Sequence, residues 1–247
     1  MLLASEAPVG IVFRRGPSKL VRVILWDREK DQFTSGQWFK GRIYPDRSDI
    51  SPDGRHMIYF AMGGVAWAIP KTGGTWTAIS RVPSLTALSI WPQGHTWGGG
   101  GIFISNTSYW MDGHRAPLRD NAKLKRVAQQ PSATPSERDR WTRQVPNPRT
   151  KPAKAFEKQI PRGWTLRRIT NYQRVWHELD QRENGLTLEF PTWEWADWDR
   201  KRLVWAEQGS IRAARIGPQG LGDTRTLCDL NSMTTVEARQ EEDTNSG

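Results

Sequence analysis

Whatever this chain folds into must accommodate an internal repeat. From Met57 to Ile69 the sequence recurs at a constant offset of 145, setting Ile58 against Leu203, Phe60 against Trp205, Ala61 against Ala206 and Gly64 against Gly209. Each copy opens on a polar turn, Ser51-Pro52-Asp53-Gly54-Arg55 in one and Asp197-Trp198-Asp199-Arg200-Lys201 in the other. Pro presets φ for a turn, Asp bonds nearby backbone N–H groups, and Gly accepts positive φ. An apolar run of strand length follows, then a tight turn (Gly63-Gly64 or Gln208-Gly209), then a second run, Val65–Ile69 or Ile211–Ile216. Glycine-containing loops lead on to Thr75–Ile79 and Thr224–Leu230 as outer strands. A repeat of this kind outranks weaker local signals and predicts an all-β chain.

Degenerate copies lie between these two. One comprises Thr86–Trp91, the glycine run Gly98–Gly101 and Ile102–Ser105; another runs from Gly163–Leu166 to Leu186–Phe190, with Asn184-Gly185 as its hairpin turn. Near the N-terminus, Leu20–Trp26 and Gln32–Thr34 read as strand, turn, strand. Asn171–Gln181 leaves two readings open, because Tyr172, Val175, Trp176 and Leu179 also fall at helical spacing.

The net charge of +10 is concentrated in one place. Residues 115–162 hold 13 Lys and Arg against four acids, a net +9, and seven of the 16 prolines. This reads as a basic, Pro-rich insertion or linker between β blades at 1–114 and 163–231, with a disordered tail at 232–247. Cys228 is the only cysteine, so neither an intramolecular disulfide nor a multi-cysteine zinc site can form. No signal-peptide pattern opens the chain, and no stretch approaches the ~20 apolar residues of a membrane span. The expectation is a cytoplasmic protein without membrane contact.

The string Asp49-Ile50-Ser51-Pro52-Asp53-Gly54-Arg55, followed by an apolar strand and a Gly turn, resembles the repeats of TolB-like and WD-repeat β-propellers. The likeness is fullest over Ser48–Ile69 and extends to Ala196–Ile216. It implies a small or incomplete propeller-like array of about four to five hairpin blades; a β-sandwich is the alternative. It implies little about function, since propellers serve as scaffolds, receptors and enzymes alike.

Few residues carry chemistry by themselves. His56, His95, His114 and His177 lack metal-ligand spacing and read as surface or turn residues, with His177-Glu178 beside Asp180 on a solvated face. Gly98–Gly101 precedes no Lys-Ser or Lys-Thr pair, which favours a turn over a phosphate cradle. Cys228 reads as a buried structural thiol, and Asp197 and Asp199 as turn residues equivalent to Asp53. No cofactor or metal is implied.

The tryptophans divide by position. Trp67, Trp76 and Trp205 lie on repeat strands and are expected in the core. Trp193, Trp195 and Trp198 nearly alternate, so at least one should face outward as a partner anchor. In the basic segment, Lys123, Lys125, Arg126, Arg138, Arg140 and Arg143 around Trp141 would neutralise phosphates or an acidic protein face. The expected function is a non-catalytic module that binds a macromolecular partner, a protein ahead of a nucleic acid. Nucleic-acid binding through the basic segment, and an enzyme with its site in a propeller mouth, are the alternatives.

Overall fold

The computed structural model describes residues 1–16, 19–64, 68–132, 141–144, 154–171 and 174–231. The expected strand residues Val65–Trp67, the candidate cations Arg138 and Arg140, and the tail from Ser232 lie outside the described residues. The chain is all-β, built from antiparallel sheets with a single described helix, α1 (Ala68–Thr72). It divides into two compact units, one within Met1–Ser132 and one within Ala133–Met233. Among the described residues no helix is long and apolar enough to cross a membrane.

In the first unit, β1 (Leu2–Leu3), β2 (Val9–Arg15), β3 (Leu20–Asp27) and β4 (Gln32–Lys40) form a meander in chain order. A second sheet runs from β5 (Arg42–Ile50) through β6 (His56–Met62), β7 (Thr75–Arg81) and β8 (Ala87–Pro92) to β11 (Arg119–Asp120). The third joins β9 (Gly101–Ser105), β10 (Ser108–Met111) and β12 (Lys125–Arg126), the last pairing parallel to β10. Successive side chains of a strand point to opposite faces, and β6 exploits both. Met57, Tyr59 and Ala61 pack with Ile11, Val21 and Val23 of the first sheet. Ile58 instead joins Ile79, Trp91, Phe103 and Tyr109 toward the third. Burial on both faces explains why β6 reads as a continuous apolar run rather than an alternating one.

In the second unit, β13 (Thr142–Gln144), β14 (Lys154–Ile160), β15 (Trp164–Thr170), β16 (Val175–Gln181) and β17 (Leu186–Phe190) form a five-stranded meander. Beside it, β18 (Trp193–Asp199), β19 (Arg202–Glu207), β20 (Ser210–Ala214) and β23 (Arg225–Asp229) make a four-stranded sheet, with a small ribbon of β21 (Ile216–Gly217) and β22 (Gly220–Leu221). Their shared core joins Trp164, Leu166 and Leu179 to Trp193, Leu203 and Trp205.

The two repeat copies agree in their central strands, β6 and β19, and then diverge. Gln208 and Gly209 both have positive φ (50° and 77°), the two-residue hairpin turn that suits strand twist. Gly64 is not in the left-handed region, and a Cβ there would meet nothing within 4 Å. The chain continues instead into α1, so Ala68 and Ile69 are helical rather than the expected strand. The left-handed glycines on this side are Gly73 and Gly74 (φ 65° and 81°), immediately before β7. Within Asn171–Gln181 the described part from Val175 is strand: β16 pairs over its whole length with β15, Leu179 and His177 burying while Glu178 and Asp180 stay on the outer face; Tyr172 lies outside the described residues. Asp197 and Asp199 are both strand residues of β18, paired with Val204 and Arg202 of β19, not turn residues. Within 115–162, residues of β11 to β14 join the sheets of both units as ladder strands.

Candidate interaction surfaces

Two clusters of buried and half-buried charges in the second unit are paired internally. Asp197 accepts from Lys158 Nζ at 2.5 Å, from the Trp141 indole at 3.4 Å and from the Trp198 backbone N–H at 2.7 Å. Both members of the ion pair are largely buried, and Lys158 also lies over the Trp141 ring. On the outer face of β14–β16, Arg167 gathers Glu157 at 2.8 Å and Asp180 at 3.2 Å, with Glu178 beyond at 3.9 Å. These carboxylates hold the Arg167 guanidinium above its ordinary pKa despite its partial burial. Among the described residues no group of three His, Cys, Asp and Glu gathers as a metal site.

His177 is a core residue rather than a surface one. Its Nδ1–H donates to the Trp193 carbonyl at 3.1 Å, while Nε2 is buried without a partner. Burial, with the Arg168 charge nearby, pushes its pKa down to about 4 from 6.5. The unfolded chain therefore takes up a proton first. His177 contributes stability above pH 6.5, and that contribution drains away as pH falls toward 4, by about 3 kcal/mol in total. Urea midpoints at pH 7.5, 5.5 and 4 should record this loss, and His177→Gln should flatten it. The other histidines differ: His95 and His114 are exposed and His56 is half-buried. Cys228 is half-buried on the edge strand β23, its thiol raised by burial and by Asp229.

The tryptophans expected to anchor a partner fare unequally. Trp193 is 2% exposed, its ring stacked on Phe190 at 3.8 Å and on Trp205 at 4.7 Å. A bulge between Trp193 and Trp195 puts an extra residue in β18 and shifts the alternation. Trp195 and Trp198 are half-buried, and Trp198 walls a cleft. Trp141, expected on a basic surface, is 4% exposed and packs under Arg168 and against Asp197. Lys123, Lys125 and Arg126 are exposed in the first unit and Arg143 in the second; Arg126 bonds the carbonyls of Met111 and Gly113.

One surface residue stands apart. Trp97 is 93% exposed, on the loop between β8 and β9. That loop is held firmly around it. Arg47 donates to the carbonyls of Thr96 (2.8 Å) and Gly98 (3.1 Å), the residues on either side, and Thr75 Oγ1 donates to His95 O at 3.0 Å. Arg47 is itself stacked over Tyr44 and Phe60. The following glycines seat the loop rather than cradle a phosphate: Gly99 N–H donates to Asp112 and Gly100 N–H to Thr77. Nothing local in the sequence marks Trp97, because a Trp beside a glycine run has no strand period to assign it to a face. No protein-family model and no curated protein matches the chain.

Proposed function

We propose that this protein is a non-catalytic, propeller-like interaction module that binds a protein partner, with Trp97 as the anchor. Several features support the blade reading. Four strands or more of each main sheet, β1–β4, β5–β8 and β13–β17, follow in chain order up and down, as propeller blades do, and β18–β20 do the same before β23 joins them. In the first unit three sheets are layered, the second packing on the first by one face and on the third by the other, one more layer than a two-sheet sandwich has. The non-catalytic reading rests on how the titratable groups are used: Asp197, Arg167 and His177 are committed to internal partners.

The observation that carries the partner reading is the exposed Trp97 on a loop braced at its neighbours' carbonyls. An exposed indole on a loop whose backbone is already braced at both neighbouring carbonyls docks with little further backbone ordering, which suits a hot-spot residue. A protein is favoured over nucleic acid because Trp141, the aromatic of the basic segment, is buried and cannot stack a base. Trp97→Ala should leave the melting temperature unchanged while weakening partner capture at least ~10-fold. A photo-cross-linking residue at position 97, used in extract of the source cells, should yield a protein adduct. Adducts that vanish with nuclease would favour the nucleic-acid alternative, and capture unchanged in Trp97→Ala would remove Trp97 as the anchor.

A further inference from the structure

We infer that the first unit binds a small apolar acid, one carboxylate on an uncharged apolar body, in a cleft of about 430 Å³ on its second sheet. Sheet register builds the floor. Tyr59 pairs with Ala78, Ala78 with Ile90 and Ile90 with Arg119, a single cross-strand row through β6, β7, β8 and β11. Residues directly opposite one another share a face, so the row runs from a buried phenol through apolar side chains to a cation. Trp76 lies on that face too, two residues before Ala78, and the Phe39 ring meets its indole edge-on at 5.7 Å. Phe39 belongs to β4, where the first sheet ends. A second cation, Lys71, comes from the last turn of α1. Tyr59 and Trp76 are each only 4% exposed, whereas Lys71 and Arg119 are exposed, which puts both charges at the mouth of an apolar cleft.

The use already made of the polar groups around the cleft narrows the occupant. The Tyr59 hydroxyl donates to the Leu85 carbonyl at 3.1 Å, so the phenol offers its ring rather than its O–H. Leu85 N–H donates to Gln37 at 2.8 Å, Thr86 N–H to Ser84 Oγ at 3.0 Å, and Leu118 N–H to the Ile90 carbonyl at 2.9 Å. A docked peptide strand needs such groups for its own main chain, and here they are engaged. That favours a small molecule whose polar end is confined to one place. Arg119 donates one N–H to the Ala87 carbonyl at 3.3 Å, which holds the guanidinium at the wall with other donors of its fork to spare. Among the described residues no carboxylate lines the cleft or pairs with Lys71 or Arg119. An arginine fork matches the two oxygens of a carboxylate, and the apolar body gains by leaving water for the aromatic floor. The volume lies within the range of small-ligand sites.

The test is calorimetric titration of the full chain, at low salt and neutral pH, with phenylbutyrate, phenylbutanol, phenylbutylamine, acetate and inorganic phosphate. Phenylbutyrate should bind with a Kd below ~1 mM. It should bind at least ~10-fold tighter than phenylbutanol, which keeps the apolar body and lacks the charge. Acetate has the charge without the body and phenylbutylamine the opposite charge, so neither should bind measurably. The decisive variant is Lys71→Gln with Arg119→Gln, both at exposed positions. It should weaken phenylbutyrate at least ~10-fold at an unchanged melting temperature. If the double variant melts lower, Lys71→Gln alone carries the test, with a loss of at least ~3-fold. The inference fails if phenylbutyrate does not bind the folded chain, if phenylbutanol or phosphate binds as tightly, or if the folded variant binds phenylbutyrate normally. Trp97 does not line this cleft, and Trp97→Ala should bind phenylbutyrate as the wild type does, so the partner reading stands or falls separately.

Discussion

Asp197→Ala is expected to destabilise the protein by about 3 kcal/mol, among the largest effects of any single substitution here. The carboxylate is 5% exposed and gathers Lys158, the Trp141 indole and the Trp198 backbone N–H. Its removal leaves the Lys158 ammonium, itself mostly buried, with no opposite charge, and leaves the indole N–H without its acceptor. A buried charge stripped of its partner is penalised far more than the pair was worth. Asp197→Asn keeps an acceptor and should lose less. The double variant Asp197→Leu with Lys158→Met removes both charges, and should recover most of the loss. Urea unfolding at neutral pH, followed by near-ultraviolet circular dichroism, ranks the three. A single Ala variant within ~0.5 kcal/mol of the wild type would show that Lys158 escapes to solvent and that this network is not a core element.

Gly100→Ala should cost about 3 kcal/mol by a different route. Gly100 has φ 93°, and a Cβ built there would lie 2.2 Å from the Arg47 carbonyl oxygen and 2.8 Å from Arg47 Cβ. The backbone strain is worth ~1–2 kcal/mol and the forced displacement a similar amount. Arg47 is also the residue that braces Trp97, so the clash works directly against that clamp. Gly64→Ala is the control: Gly64 is outside the left-handed region and has open space around it, so its change should stay within ~0.5 kcal/mol. Thermal melts of the two variants decide the matter. Equal melting temperatures would mean that the Gly98–Gly101 loop yields to a side chain, and that its close seating is not required for the fold.

What the sequence by itself determined was local. The turn Ser51–Arg55 forms as its chemistry demands: Asp53 accepts from Ser51 Oγ and the Arg55 N–H, and Gly54 takes φ 74°. The same holds for Gln208-Gly209 and for the strands around both turns. Such features depend on φ preferences and on side chains bonding their own backbone, within four or five residues. Burial depended on tertiary structure. His177, Trp141 and Trp193 carry no local mark of the core, and each is buried because one sheet of the second unit stacks on the other. Gly64 and Gly209 share a place in the repeat but not a conformation, since α1 follows one and a paired strand the other. Asp197 reads as a turn residue until Lys158, 39 positions away, arrives beside it. Trp97 is exposed for the converse reason: Arg47, 50 positions earlier in the chain, braces its loop with the indole left in solvent. Residues so far apart in sequence meet only through sheet stacking and loop placement, and no short-range preference encodes which of them will.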